Sequence, residues 1–278
     1  MFLSPWLFIF LTFIVLSLGY ALYLSFTRYN LLRPPEWWGI EGYKRVLSDN
    51  LFITKALPNT FKYALIVVPI QTILSLVLAF AMDQKLRLRR LFRTVFYLPS
   101  VTSSVVISLI FVWLFAAQGI FNQILQTNVN WLNNVKTAFF VIMGMNIFTT
   151  SGTLMLIFLS GLQDIPESIY EAARIDGADS LQTFWNITIP MLRPVVFFVV
   201  TVGLIGSFQV FDQIYIMTNG GPLDSTTTIT YQVYKWAFRD TTVKMGQASA
   251  LAVVLTLIIL VVTMLQRRII EGSGSSNQ

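Results

Sequence analysis

Six long windows of this 278-residue chain contain no charged side chain. Each window is close to the roughly 20 apolar residues that span about 30 Å of hydrocarbon as a helix. Because lipid offers the backbone no hydrogen-bonding partner, the windows are predicted to be helices rather than open strands. We therefore expect an all-α, polytopic membrane protein with six transmembrane helices. The windows are Pro5–Phe26, Tyr63–Met82, Thr94–Ala117, Thr137–Gln163, Pro194–Phe211 and Met245–Gln266.

The first and fifth windows need closer definition. The first is too long for a secretory signal and has no basic stretch before it, so it is predicted to be retained as a transmembrane helix. The fifth is followed by one acid, Asp212, and then by further apolar residues. We expect the fifth helix to continue to Met217 and to carry Asp212 to the membrane edge.

The residue types that the chain lacks exclude several kinds of chemistry. It contains no cysteine and no histidine, which excludes disulfides, thiol catalysis, zinc sites and imidazole acid–base chemistry. Its net charge is +6, and five of its nineteen basic residues lie in the short turn Lys85–Arg93. A basic turn between two apolar windows is typical of a topology signal rather than a nucleic-acid patch. No nucleic-acid partner is therefore expected.

The basic residues also predict the orientation of the chain. With six helices both termini lie on one side, together with the Lys85–Arg93 turn and with Arg267 and Arg268 at the end of the last window. Dense basic residues at membrane ends favour the cytoplasm, so both termini are predicted to be cytoplasmic. The segments Thr27–Phe61 and Thr218–Lys244 then face outward. Their aromatic residues are either interfacial anchors or a docking surface for an external partner.

The segment between the fourth and fifth windows is charged and polar, unlike the windows on either side. Pro166 suits the first position of a helix, and Gly177 suits a left-handed cap at its end. A second short helix is predicted to begin at Asp179 or Ser180 and to end at about Ile187. The segment is net acidic, so anionic lipids would repel it, and its small residues let another backbone approach closely. We expect it to bind a protein partner.

Two groups of residues resemble a known family. Glu171-Ala172-Ala173, followed after three residues by Gly177, resembles the EAA signature of binding-protein-dependent ABC importer permeases. The run Phe184–Pro190 and the later run Thr218–Pro222, with the threonines 226–228, resemble the carbohydrate-importer branch of that family. Within the branch they are similar to the larger maltose permease subunit and to the glycerol-3-phosphate permease. The resemblance covers about residues 57–268.

This resemblance implies a type I ABC importer permease fold in the cell inner membrane. Residues 1–56 would hold the first transmembrane helix and an external loop. Residues 57–278 would form a permease core of five transmembrane helices, with the EAA coupling segment at about residues 164–190. The residues that couple to the ATPase would be Glu171, Ala172, Ala173, Asp176 and Gly177.

The resemblance also implies the partners of the chain. They are a second permease subunit, a cytoplasmic ATPase dimer, an external solute-binding protein, membrane lipid and the transported solute. The chain has no Gly-rich phosphate loop ending in Gly-Lys-Ser or Gly-Lys-Thr, so ATP and magnesium would be bound by the partner ATPase. The chain itself is therefore expected to be neither an enzyme nor a holder of a cofactor.

Three windows carry small or polar residues spaced four apart, so that each pair shares a helical face. A polar residue inside a membrane is costly unless it finds a partner or lines a water-filled cavity. By the family resemblance, these positions correspond to the sugar contacts of the maltose permease, and their hydroxyl and amide groups suit a neutral sugar or polyol. The alternative is ordinary packing between helices. The pairs are Ser100 with Ser104, Asn146 with Thr150, and Gly203 with Ser207.

Aromatic residues in the same windows admit two interpretations. Trp113, Phe148 and Phe208 are either stacking faces for a sugar ring or, more commonly, helix packing.

Three other functions are also considered. An importer permease for another solute, such as glycerol-3-phosphate, would share every motif. An ion-coupled secondary transporter normally has buried ionisable residues, which the second to fourth windows lack. A membrane-embedded hydrolase would need clustered catalytic side chains at membrane depth.

Overall fold

Helices make up nearly all of the regular structure in the computed structural model, which describes residues 3–84, 87–240 and 244–272. A two-residue antiparallel ribbon pairs Thr27 with Trp37 and Arg28 with Glu36. The helices, some of which include π-helical turns, are α1 (Ser4–Ser25), α2 (Glu41–Ser48), α3 (Phe52–Asp83), α4 (Arg89–Val101), α5 (Ser104–Leu114), α6 (Ile120–Leu125), α7 (Ala138–Gln163), α8 (Glu167–Ile175), α9 (Ser180–Met191), α10 (Arg193–Phe208), α11 (Asp212–Met217), α12 (Ile229–Tyr234, continued by a π-helical turn at Lys235–Arg239) and α13 (Met245–Gly272).

Among the described residues, four helices are long and apolar enough to cross a membrane by themselves. They are α1, α3, α7 and α13. Two pairs of helices pass the same test together: α4 with α5, bent by 96°, and α9 with α10, bent by 64°. With each bent pair counted as one span, the described chain has six spans. The prediction of an all-α membrane protein is confirmed.

The fifth window does not continue as one helix to Met217, so that prediction was wrong. Helix α10 ends at Phe208, and α11 begins at Asp212. The break leaves backbone carbonyl groups without helical partners, and threonines from a later segment replace those partners. Thr230 Oγ1 donates to the Phe208 carbonyl at 3.1 Å, and Thr228 Oγ1 donates to the Val210 carbonyl at 3.2 Å.

The two long helices α3 and α7 pack extensively against each other and form the centre of the bundle. Phe52 near the start of α3 packs in one buried apolar cluster, and Met82 near its end packs in another. Thirty residues of helix separate them, a length of roughly 45 Å at 1.5 Å per residue. The bundle therefore has two distant ends. We name them after the predicted orientation: the outer end at Phe52 and the coupling end at Met82.

The outer end is built from two loop segments that lie far apart in the sequence. Gln232 Nε2 donates to Asp49 Oδ1 at 2.9 Å, and the Ile229 amide donates to Thr60 Oγ1 at 3.0 Å. Val46 and Trp236 pack into the same buried cluster as Phe52. The segments predicted to face outward thus lie together at one end of the bundle.

The coupling end contains the start of the polar segment predicted to bind a partner. Ile165 and Tyr170 pack in the cluster that contains Met82. Part of the basic turn, at Lys85 and residue 86, lies outside the described residues. Arg89 Nη2 lies 3.5 Å from Asp83 Oδ1. The predicted division of the chain between residues 56 and 57 stays a prediction.

Candidate functional site

A cavity of about 350 Å³, lined by many polar residues but mostly by their apolar surface, lies between α3, the bent pair α4 and α5, α7, and the region of α10 and α11. The break between α4 and α5 lies beside it at Thr102, and Gly206, Ser207 and Gln213 line it on either side of the break between α10 and α11. All six residues predicted to form a solute pathway line this main cavity, although they come from three separate windows. Their role in transport stays a prediction. They are Ser100, Ser104, Asn146, Thr150, Gly203 and Ser207.

Helices α4 and α7 approach each other very closely beside the main cavity. A Cβ atom at Gly152 would collide with the Phe96 carbonyl oxygen and would lie 2.5 Å from Ser100 Oγ. Ser100 Oγ donates to the Thr149 carbonyl at 2.6 Å and accepts from the Thr153 amide at 3.1 Å. The Ser100 hydroxyl therefore joins the two helices, as the packing alternative predicts, while the residue still lines the cavity.

Gln71 on α3 is a cavity residue that the sequence analysis did not identify. Its side chain is only 2% exposed, and its Oε1 accepts a hydrogen bond from Thr150 Oγ1 at 2.8 Å. A Cβ atom at position 203 would lie 2.5 Å from Gln71 Nε2, so Gly203 provides the space that the amide occupies. Gln71 thus connects three spans. The available signal was the pair Gln71 and Ser75, which lie four residues apart in the second window like the three pairs that were identified.

Asn146 occupies a central position between two cavities. Its backbone carbonyl accepts hydrogen bonds from Thr150 Oγ1 at 2.8 Å and Thr149 Oγ1 at 3.0 Å. The residue lines the main cavity and also a smaller, more polar cavity of about 210 Å³ toward the outer end. Gln209, Asp212 and Gln213 line the smaller cavity with it. An amide between two polar cavities is suited to hydrogen bonding with a hydroxylated solute.

Asp212 joins α11 to the bent pair α4 and α5, through a residue that lines the main cavity. Its Oδ2 accepts a hydrogen bond from Ser104 Oγ at 2.6 Å. Both residues are the first of their helices, α5 and α11. Among the described residues that line the two cavities, Asp212 is the single charged one. The cavities therefore present hydroxyl groups, amides and one carboxylate to a solute.

The three aromatic residues considered as stacking faces do not line either cavity. Phe208 is buried edge-on against Phe61, with ring centroids 5.2 Å apart. Phe148 lies 6.2 Å from the Phe111 ring, and Trp113 is 62% exposed on the bundle surface. Packing accounts for Phe208, whereas Phe148 is half exposed.

The polar segment at the coupling end forms a helix, a glycine turn and a second helix. Helix α8 is capped by Pro166, which lies one position before the helix rather than at its first position. At the other end Gly177 has φ +77°, the Ala178 amide donates to the Ala173 carbonyl, and the Gly177 amide donates to the Arg174 carbonyl. These are the two hydrogen bonds of a Schellman cap.

The second helix of the segment is longer than predicted. Asp179 caps it by accepting from the Gln182 amide at 2.7 Å, and the Gln182 side chain accepts from the Asp179 amide at 3.1 Å. The helix does not end near Ile187 but runs to Met191 through a π-helical turn at Phe184–Thr188. Pro190 lies in its last turn and does not shorten it.

The residues predicted to couple to an ATPase lie on two faces of this segment. Glu171, Ala172, Asp176 and Gly177 are exposed, whereas Ala173 is buried against the rest of the chain. Three large apolar residues beside them are also strongly exposed: Ile175 by 86%, Leu181 by 68% and Trp185 by 60%. Tyr170 anchors the segment, because its hydroxyl lies 3.3 Å from Thr188 Oγ1 and its ring packs on the coupling-end cluster. The segment therefore presents a mixed acidic and apolar surface.

The second motif, Thr218–Pro222 with the following threonines, forms a buried network at the outer end. A Cβ atom at Gly220, which has φ +81°, would lie 2.5 Å from the Tyr231 ring. The Tyr231 hydroxyl donates to the Asn219 carbonyl at 2.7 Å, and Arg239 Nη1 donates to Asn219 Oδ1 at 3.0 Å. The hydroxyls of Thr218 and Thr226 share a hydrogen bond of 2.7 Å. This motif holds the loop that supplies Thr228 and Thr230 to the break in the fifth span.

The sequence is similar to a known protein family and to individual proteins. The family described as "Binding-protein-dependent transport system inner membrane component" matches residues 51–272. The chain is 36% identical over 255 residues to the multiple sugar-binding transport system permease protein MsmF of Streptococcus mutans, covering 88% of this chain and 85% of the relative. It is 36% identical over 231 residues to the lactose transport system permease protein LacF of Rhizobium radiobacter, covering 80% of this chain and 77% of the relative.

A solved structure shares the fold. A crystal structure of a bacterial alginate ABC transporter, in complex with alginate pentasaccharide-bound periplasmic protein, contains a chain that matches with a TM-score of 0.81 at 20% identity. The match covers 96% of this chain and 91% of that one. The resemblance to carbohydrate-importer permeases is confirmed by the relatives, and the type I permease fold by the family match and the structural match. The chain belongs to the family of binding-protein-dependent transport system inner membrane components.

Proposed function

We propose that this chain is the transmembrane permease subunit of an ATP-driven importer that moves a neutral sugar or polyol into the cytoplasm. The main cavity carries this proposal. Its described lining offers hydroxyl and amide groups from Ser104, Asn146, Thr150 and Ser207 and contains no cationic side chain. Polar groups that both donate and accept hydrogen bonds match the hydroxyls of a sugar. The sugar-transport names of MsmF and LacF support the same class of cargo.

The structure favours a neutral cargo over glycerol-3-phosphate. A phosphate dianion at membrane depth needs cationic partners to offset its desolvation. The single charge beside the cavities, on Asp212, has the wrong sign for this role. An ion-coupled secondary transporter is disfavoured by the family to which the chain belongs.

Energy would enter the chain through the coupling segment. The exposed carboxylates of Glu171 and Asp176 lie beside the exposed apolar side chain of Ile175, a combination that suits a groove on a cytoplasmic ATPase dimer. Ala173 would act differently from its neighbours, because it is buried. It would transmit displacement of the helix to the coupling-end cluster. ATP and magnesium would be bound by that ATPase.

The remaining partners follow from this arrangement. A second permease subunit would close the open side of the cavity, and a solute-binding protein would deliver cargo at the outer end. Both termini and the coupling segment would face the cytoplasm. Motion of the bent spans past the central pair α3 and α7 would expose the cavity alternately to each side, as alternating access requires.

The assembled importer in proteoliposomes tests this proposal through Asn146→Ala. We expect the variant to assemble normally. The concentration of cargo-loaded binding protein that stimulates the ATPase should rise about tenfold, which corresponds to a lost interaction of roughly 1.4 kcal/mol. Gly144→Ala on the same helix is the matched control, because nothing lies within 4 Å of a Cβ atom at that position. Unchanged stimulation in the Asn146 variant would contradict a role for the cavity.

A further inference from the structure

A third pocket lies at the outer end of the bundle and shares no lining residue with the main cavity. It has a volume of about 280 Å³ and lies between the loop that follows α1 and the start of α13. Three cationic residues line it: Arg28, Arg45 and Lys244. Asn30, Trp38 and Gln247 also line the pocket. We call this site the cationic pocket.

The backbone around the cationic pocket is held by specific contacts. The Gly246 amide donates to the Tyr29 carbonyl at 3.2 Å, and a Cβ atom at Gly246 would collide with the Thr27 carbonyl oxygen. The Trp38 amide donates to the Phe26 carbonyl at 2.8 Å, and the guanidinium carbon of Arg45 lies 4.6 Å from the centre of the Trp38 ring. The cationic side chains are therefore carried by a preformed frame.

No ion pair in the described part of the chain involves the three cationic residues of the pocket. The ion pairs among the described residues are Lys44 with Glu41, Arg89 with Asp83, and Lys235 with Asp224. None of them involves Arg28, Arg45 or Lys244. Two acids lie outside the pocket: Glu36, which faces Arg28 across the ribbon and lines an adjoining groove, and Glu41, one helical turn before Arg45. Like charges repel across so small a space, so an anion in the pocket would be stabilised.

The position of the pocket indicates which anion reaches it. Lys244 directly precedes α13, and Arg28 follows the end of α1 by three residues. Cations so close to the ends of two spans lie at the depth of lipid headgroups, where Trp38 is also expected. Helix α1 is exposed along most of its length and is buried only at Leu24 and Ser25, next to the pocket, so lipid can lie along the helix that leads to the pocket. Arginine forks match the paired oxygens of a phosphodiester.

We propose that the cationic pocket binds the phosphate headgroup of an anionic phospholipid in the outer leaflet, the leaflet assignment resting on the proposed orientation. The lipid neutralises Arg28, Arg45 and Lys244 and ties the end of α1 to the start of α13. The contact is a phosphodiester held by two guanidinium groups and one ammonium group, with Asn30 and Gln247 beside them.

Native mass spectrometry of the full chain, released from nanodiscs of equal phosphatidylglycerol and phosphatidylcholine, tests this proposal. We expect wild-type protein to retain phosphatidylglycerol preferentially and the triple variant Arg28→Gln/Arg45→Gln/Lys244→Gln to lose that preference. The control Lys44→Gln/Lys55→Gln/Lys136→Gln removes the same charge from exposed positions outside the pocket and should keep the preference. Arg45→Lys should bind with intermediate strength, because it keeps the charge but loses the planar fork. Circular dichroism and gel filtration confirm that each variant is folded.

Four results would overturn the proposal. Wild-type protein with no preference for phosphatidylglycerol would do so, as would equal losses in the triple variant and its control. A triple variant that keeps the lipid but no longer captures the importer's solute-binding protein would assign the pocket to a carboxylate of that protein instead. Excess inorganic phosphate that displaces the lipid completely would assign it to a free anion.

Discussion

The close contact of α4 with α7 at Gly152 makes a quantitative prediction about stability. A methyl group at this position would overlap the Phe96 carbonyl oxygen and the Ser100 hydroxyl, so Gly152→Ala must push the two helices apart. Such overpacking costs about 1–3 kcal/mol. The displacement would also weaken the two hydrogen bonds that Ser100 makes to α7, each worth about 0.6 kcal/mol inside a membrane. We expect a total loss of about 2–4 kcal/mol.

The matched control is Gly144→Ala, on the same helix and two turns earlier. No heavy atom lies within 4 Å of its added Cβ, so that variant should be neutral or more stable by up to about 1 kcal/mol through helix propensity. Reversible unfolding of both variants in mixed micelles, followed by tryptophan fluorescence, measures the difference. Equal stability of the two variants would refute the helix contact and, with it, the described shape of the cavity wall.

Two further predictions concern the cavity and the coupling segment. Gly203→Ala displaces the Gln71 amide and Thr150→Val removes its partner, so both should lower transport while the protein still assembles. Because both substitutions disturb the same Gln71 amide, their effects on transport in the double variant should depart from additivity by about 0.5–3 kcal/mol. Strictly additive effects in uptake assays would argue against Gln71 as the residue that connects the three spans. Glu171→Lys and Gly177→Asp should weaken ATPase association by about 2 kcal/mol or more, the size of an interface hot spot, while leaving the permease in the membrane. Pull-down of the ATPase at wild-type levels by both variants would count against the coupling surface.

Much of the fold could be predicted because lipid allows so few solutions. A charge-free window of about 20 residues must satisfy its backbone internally, so the windows around α3, α7 and α13 follow directly from composition. The cap at Gly177 was equally predictable, since a left-handed residue after a helix strongly favours glycine. Residue type and spacing identified the three pairs window by window, and the family resemblance then related all three to one solute site. No spacing within a single window brings them together.

The features that were missed depend on contacts between distant segments. The break after Phe208 is compatible with a membrane only because Thr228 and Thr230 donate to the freed carbonyls, and nothing in the fifth window reveals those partners. Gln71 was missed although Ser75 lies four residues after it, because its side-chain partner Thr150 belongs to another window and meets it only in the folded bundle. The burial of Ala173 likewise depends on which face of α8 packs on the coupling-end cluster.

The central claim is that the coupling segment receives work from a cytoplasmic ATPase, and cross-linking tests it most directly. Since the chain contains no cysteine, Ile175→Cys places a single reactive thiol at a position that is 86% exposed. Leu32→Cys provides a control thiol on the loop after α1, at a position that is 90% exposed. In the assembled importer we predict that a short thiol cross-linker joins position 175, but not position 32, to the ATPase. Cross-linking from position 32, or none from position 175, would contradict the account.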